Sequence, residues 1–214
     1  MSGTIIVIAK APAPGRSKTR LSPPCTYLQA AALAEAALFD TLETVERSSA
    51  RRRVLALDGG IGNLLKNVNS FEVIRQRGVG LGERLTSAFE DIGEPALLIG
   101  MDTPQISPSL LDRALGLLAT TDAVLGDSID GGYWAVGLSH PFTPAFKGVP
   151  MSTRLTARAQ RHRFAQLRLA CTNLPVLRDV DYYDDAIAVA AQAPGSRFAR
   201  CVASLKPGFE EQGA

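Results

Sequence analysis

Four segments of the chain carry residue types that chemistry needs. The first is Lys10-Ala-Pro-Ala-Pro-Gly15-Arg16-Ser17-Lys18-Thr19-Arg20-Leu21, four cations on a loop shaped by proline and glycine. Such a loop suits a phosphate ligand, with lysine as a point charge and arginine as a two-pronged donor; a plainly solvated basic loop is the alternative. Gly15 to Thr19 approach a Walker A loop. That motif needs a glycine directly before the lysine and a helix straight after it, whereas here Ser17 holds the first place and Pro23-Pro24 interrupt the stretch where the helix would run. The second segment, Gly100-Met101-Asp102-Thr103-Pro104, offers one carboxylate to a hard cation such as Mg²⁺, or to its own turn. In the third, Asp179-Val180-Asp181 with Asp184 and Asp185 beyond, the acids supply a second metal ligand or favour the start of a helix. In the fourth, Asp127 to Trp134, two glycines follow Asp130 and allow a close backbone approach to a ligand. Tyr133 and Trp134 then either flank a sugar or base, or pack into the core.

These residues matter only if elements bring them together. Short apolar runs over 5–9, 53–57, 71–76, 95–100, 122–126 and 132–138 predict strands, and a short strand is placed over 167–170. Helical spacing predicts helices over 27–47, 81–92, 107–118, 152–164, 182–191 and 196–205, with Ser107-Pro108 and Ser152 as N-terminal signals. Strands separated by helices mean crossover units. The expected fold is a single α/β domain over 1–207, three layers deep (α/β/α) around a mainly parallel sheet, with a frayed tail over 208–214. In open sheets of this kind ligands sit outside the carboxyl ends of the strands, where all four segments fall.

Composition narrows the function classes. With 46% hydrophobic and 21% charged residues in 214, the chain reads as globular rather than disordered. A net charge of +2 gives no nucleic-acid footprint, and the run Arg51-Arg52-Arg53 reads as a solvated strand start. Three dispersed cysteines and two histidines argue against a disulfide framework and against a Cys- or His-based metal site. The N-terminal apolar run has no basic region before it, and no stretch approaches the roughly 20 residues of a membrane span. No nucleic-acid or membrane partner is expected, the location is expected to be cytoplasmic, and no internal repeat is present.

Taken in order, several motifs resemble the DUF2064 family over about residues 4–190. They are Lys10-Ala-Pro-x-Pro-Gly-x-x-Lys-Thr-Arg-Leu21, Gln76-x-Gly78…Leu81-Gly82-Glu83-Arg84-Leu85, Gly100-x-Asp-x-Pro104, Asp130-Gly-Gly-Tyr133 and Asp179-Val-Asp181. The resemblance implies a GT-A-type nucleotide-diphospho-sugar transferase fold, with kinship to MobA-like enzymes and phospholactate guanylyltransferase. It implies that Lys10, Gly15, Arg16, Lys18, Arg20, Gln76, Gly82 and Arg84 bind the nucleotide and its phosphates. Asp102 and Asp181 would hold Mg²⁺ or Mn²⁺. Asp130, Gly131, Gly132 and Tyr133 would face the sugar or acceptor, with Asp130 and Lys18 as catalytic residues. Three positions depart from the family pattern: Gly80 stands for an aspartate, Met151 for a tryptophan before Ser152-Thr153, and Gly100 for the first aspartate of an Asp-x-Asp metal motif. The activity implied is metal-dependent transfer of a sugar from a nucleotide-diphosphate donor to a small-molecule acceptor. Nucleotidyl transfer from an NTP with release of pyrophosphate, and nucleotide binding without catalysis, are the alternatives.

Overall fold

The computed structural model describes residues 3–60, 62 and 68–205; the expected frayed tail over 208–214 lies outside them. The first strand, β1 (Thr4–Lys10), is apolar on both faces and buried on both. A strand of that kind belongs in the middle of a sheet covered on each side. It pairs in parallel with β2 (Arg52–Asp58) and with β4 (Ala96–Ile99), and β2 pairs in parallel with β3 (Glu72–Arg75). Beyond β4 lie β6 (Tyr133–Leu138), antiparallel to both its neighbours, then β5 (Ala123–Ser128) and the edge strand β7 (Cys171–Leu177). The order is β3-β2-β1-β4-β6-β5-β7, a mixed and mostly parallel seven-stranded sheet.

Alternation along β1 divides the core. Ile5, Val7 and Ala9 meet α1 (Tyr27–Glu46) and α3 (Pro108–Leu117) on one face. Ile6 meets α2 (Leu81–Ile92) and α4 (Thr156–Gln166) on the other. The two helix starts expected from serines differ in outcome. Ser107 accepts from Leu110 N–H with Pro108 at the first helical position, as expected. Ser152 does not cap α4: it has φ +57°, and the helix opens further on, after a turn in which Thr156 Oγ1 accepts from Thr153 N–H.

Helix α1 is buried almost all round, because it is covered twice. Its outer side, with Ala30, Leu33 and Ala37, packs against α5 (Tyr183–Gln192) and α6 (Arg197–Ser204) through Ala186, Val189, Phe198 and Val202. Asp40 of α1 seals this layer by accepting from the N–H groups of Arg197 and Phe198 at the start of α6. The same cluster takes in Leu21 and Val180, apolar residues within the first and third chemical segments.

One strand falls elsewhere than expected. Residues 167–170 form a loop with Arg168 at φ +59°, and the strand is β7, which begins only at Cys171. Only Leu174 is buried in β7, and Pro175 lies within it, an edge-strand composition that hides from an apolar-run criterion. The run Arg51–Arg53 behaves as a strand start, with Arg51 and Arg52 paired to Glu94 and Arg52 also to Glu72. No described helix is long and apolar enough to cross a membrane.

Candidate functional site

A cleft of about 570 Å³ opens where β1, β2, β3 and β4 end, floored by Ala9, Trp134, Ala135 and Leu98. The loop after β1 forms one wall. Its turn is held by Ser17, whose hydroxyl accepts from Ala13 N–H and whose own N–H reaches Ala13 O. Lys18 follows in the left-handed region at φ 50°, ψ 39°, and a single 3₁₀ turn (Thr19–Leu21) leads to the buried Leu21.

That backbone aims the Lys18 side chain inward, where it is 10% exposed. Its ammonium lies 2.7 Å from Asp102 Oδ1 and 3.7 Å from Asp181 Oδ1, and it donates to Val180 O. Arg20 pairs with the other oxygen of Asp181 at 3.1 Å and lies over the Tyr182 ring. Asp102 and Asp181 are thus brought together around one lysine. The backbone is joined at the same place by Val180 N–H to Asp102 O, 2.9 Å. Lys10 and Arg16 line the cleft, are exposed, and have no ion-pair partner among the described residues.

The far wall is set by Gln76, just beyond β3. Both carbonyls that its amide nitrogen reaches, Ala9 O and Ala56 O, are 2.8 Å away, so Gln76 ties the ends of β1 and β2. Its amide oxygen accepts from Arg84 Nη1 at 3.3 Å, and the same nitrogen pairs with Asp58 at 2.9 Å. Asp58 is absent from the candidates expected from sequence. It ends β2 immediately before Gly59-Gly60, so the strand-end rule that picks out Asp102 points to it as well.

On the other side Asp130, Asp179 and Asp181 each place a carboxylate oxygen within 4.8 Å of the others. Asp179 belongs to an expected motif but has no expected role in it. Burial, then the charges of Asp130 and Asp181, push its carboxyl up to about 6, with Lys18 pulling the other way. Asp130 itself is exposed and accepts from Gly132 N–H at 2.7 Å. Gly131 has φ +92°, and a Cβ there would lie 2.1 Å from the carbonyl oxygen of Arg154; its own carbonyl accepts from Ala157 N–H. Packing therefore accounts for Gly131 without a ligand.

Tyr133 lines the cleft, and its hydroxyl donates to Met151 Sδ at 3.6 Å, at the position that departs from the family pattern. Burial pushes its phenol far up, which keeps it neutral. Trp134 is 3% exposed and donates to Pro175 O, and a Cβ on Gly126 would strike its indole at 2.5 Å, so it is a packed floor residue. Gly15, Gly82, Gly131 and Gly132 do not line the cleft. Gly82 sits in the first turn of α2, 3.5 Å (from a built Cβ) to Met151, in a second cleft between α2 and residues 143–151.

The donor chemistry fits a hard divalent cation, since every available ligand atom is a carboxylate or carbonyl oxygen. Lys18 and Arg20 pair with Asp102 and Asp181, while Asp130 and Asp179 lie beside Asp181, outside the lining of the cleft, and have no ion-pair partner among the described residues.

Solved structures share this architecture. A protein from Desulfovibrio desulfuricans G20, carrying the provisional name nucleotide-diphospho-sugar transferase, is 27% identical and superposes with a TM-score of 0.81, over 95% of this chain and 94% of that one. Rv0371C from Mycobacterium tuberculosis H37Rv, in complex with manganese, is 20% identical with a TM-score of 0.54, over 88% and 98% of the two chains. A 4-diphosphocytidyl-2C-methyl-D-erythritol synthase from Anaerococcus prevotii DSM 20548 is 11% identical with a TM-score of 0.58, over 89% and 95%. The fold is that of the nucleotide-diphospho-sugar transferases. No curated protein matches the chain. The model of the family described as "Uncharacterized protein conserved in bacteria (DUF2064)" matches residues 41–153, over half of its length, and the chain belongs to the DUF2064 family.

Proposed function

We propose that the protein transfers a sugar from a nucleotide-diphosphate donor to a small acceptor, with a divalent cation held by its carboxylates. The carrying observation is the arrangement of acids at the carboxyl ends of β4, β5 and β7: Asp102 and Asp181 gathered around Lys18, with Asp130 and Asp179 beside Asp181 and without an ion-pair partner among the described residues. The name carried by the D. desulfuricans protein supports the same reading. Bound there, Mg²⁺ or Mn²⁺ supplies neutralisation of the charge that develops on the departing diphosphate. The chain's own residues do the rest. Lys10 and Arg16, exposed and without an ion-pair partner among the described residues, reach the phosphates. Lys18, largely buried, and Arg20, exposed, hold Asp102 and Asp181 in place before substrate binds. Gln76 orients Arg84 and Asp58 at the nucleoside end. Asp130, exposed beside the acidic group, faces the acceptor hydroxyl, where a carboxylate accepts the proton that the hydroxyl loses.

The test is a panel of sugar nucleotides and acceptors with Mg²⁺ or Mn²⁺, scored for release of nucleoside diphosphate. Release of pyrophosphate from an NTP and a phosphorylated acceptor would assign nucleotidyl transfer instead, and metal-independent binding with no turnover would make the protein a binding module.

A further inference from the structure

The Lys18 side chain has three N–H donors, and three acceptors surround it: Asp102 Oδ1, Val180 O and Asp181 Oδ1. Its backbone stands in the left-handed region, which is unfavourable for a non-glycine residue. Strain of this kind persists where surrounding structure fixes it, and here Leu21 N–H on Lys18 O and the buried Leu21 side chain do so. The loop is therefore shaped to deliver this one ammonium between two carboxylates assigned above to the metal.

We propose that Lys18 is a placeholder cation, and that a divalent ion enters Asp102 and Asp181 only as Lys18 moves off them onto the substrate's diphosphate. This rests on the metal dependence proposed above. Asp102 and Asp181 are part-exposed, but an ammonium and a divalent ion on the same carboxylate oxygens still compete for the same lone pairs and repel each other at contact distance. The ion must therefore expel Lys18, and an expelled ammonium needs a new anion. Among the described residues the carboxylates around it, Asp102 and Asp181 in contact and Asp179 within electrostatic reach, are the metal's own candidates. The incoming diphosphate, drawn by Lys10 and Arg16, is the anion that remains. Metal and diphosphate then bind as a coupled pair: each removes what makes the other's entry unfavourable. Without substrate Asp102 and Asp181 stay paired with Lys18 and Arg20, and adventitious divalent ions are turned away from them.

The test is binding of Mn²⁺ alone to the substrate-free chain, followed through the paramagnetic resonance of free Mn²⁺. Lys18→Gln removes the charge at similar length, and Lys18→Asn does so with a residue that accepts the left-handed backbone. Both variants should bind Mn²⁺ tighter than the unaltered chain, by about tenfold or more. Unchanged or weaker binding in folded variants, verified by their thermal transitions, overturns the placeholder role. A second arm does not depend on altering Lys18. In EDTA, inorganic pyrophosphate should bind Asp102→Asn more tightly than the unaltered chain, because the lysine has been released; equal or weaker binding overturns the proposal. If the unaltered chain and both Lys18 variants bind no Mn²⁺ even with pyrophosphate present, the metal dependence itself fails, and that pattern differs from Mn²⁺ binding that ignores Lys18.

Discussion

Lys18 and Asp102, 84 positions apart in sequence, meet at 2.7 Å because the loop after the first strand and the end of the fourth share one rim. The contact joins the segment richest in cations to the carboxylate on which the proposed metal chemistry depends. Changing either residue tests a different half of the same site.

Asp102→Asn keeps the shape and the fold while removing the charge of one proposed metal ligand. Turnover should fall by about 10²–10³-fold, and metal should no longer strengthen nucleotide-diphosphate binding. Trp134, the only tryptophan and part of the cleft floor, provides a fluorescence readout. An unchanged metal effect would reduce Asp102 to a partner of Lys18.

Asp130 and Gly131 are neighbours with opposite expectations. Asp130→Ala should lower turnover by about 10²-fold, with a much smaller loss of nucleotide-diphosphate affinity and only the modest stability loss of its hydrogen bond from Gly132 N–H. Gly131→Ala should cost about 2–4 kcal/mol of stability, since its Cβ would meet the Arg154 carbonyl at 2.1 Å on a backbone of φ +92°. Denaturant unfolding of the two variants, beside steady-state rates, separates the roles.

Asp179 makes the metal-free chain sensitive to pH. Its folded-state pKa is raised from 3.8 to about 6, so the fold binds this proton more tightly than the unfolded chain does. The stabilisation is fully present below 3.8 and is lost as pH rises through about 6. Asp179→Asn should remove that loss and so raise the melting temperature at pH 7 relative to the unaltered chain, with the gap closing towards pH 4. Differential scanning calorimetry in EDTA checks it.

At the opposite end of the sheet, Glu94 accepts from the Thr4 hydroxyl at 2.6 Å and pairs with Arg51 and Arg52. The Thr4 bond, against burial and with help from the arginines, holds its carboxyl below the usual range. A depressed acid stabilises the fold above its unfolded value and loses that contribution as pH falls through the folded one. Thr4→Val should therefore cost about 1–2 kcal/mol at pH 7, with the difference shrinking once pH drops below 4.5. Urea unfolding at the two pH values measures it. No effect on turnover is expected, because this end lies far from the cleft.

Much of the fold is legible in the sequence because the responsible signals are local. The apolar runs at 95–100 and 132–138 and the Ser107-Pro108 start correspond to β4, β6 and α3. Strand β7 is hidden because an edge strand with one buried residue does not need an apolar run. The false start at Ser152 has a different cause: Thr156 closes a local turn with Pro150 O and Thr153 N–H, and Ala157 N–H is taken by Gly131 O from a distant loop, so α4 begins only at Thr156. In the site, residue types name the candidates, but their partners are invisible. Nothing in the spacing shows that Lys18 reaches Asp102, or that Asp179 joins Asp130, since those pairings depend on loops from distant strands.

Val180 has a consequence for biosynthesis. Its side chain is packed among Leu21, α1, α5 and α6, its N–H holds Asp102 O, its carbonyl receives Lys18, and Asp179 and Asp181 sit on either side. Three stretches of chain, around Leu21, Asp102 and Val180, converge on it, and α6 ends only at Ser204. A nascent chain emerges from its N-terminus, so the phosphate loop and Asp102 are synthesised long before anything can fix their geometry. Closing such distant contacts is the slow, entropically costly part of folding. The geometry of the proposed site thus arrives only after α5 and α6 have followed, and a ribosome-bound chain that stops before Asp179 carries the basic loop without the acidic partners that complete that site.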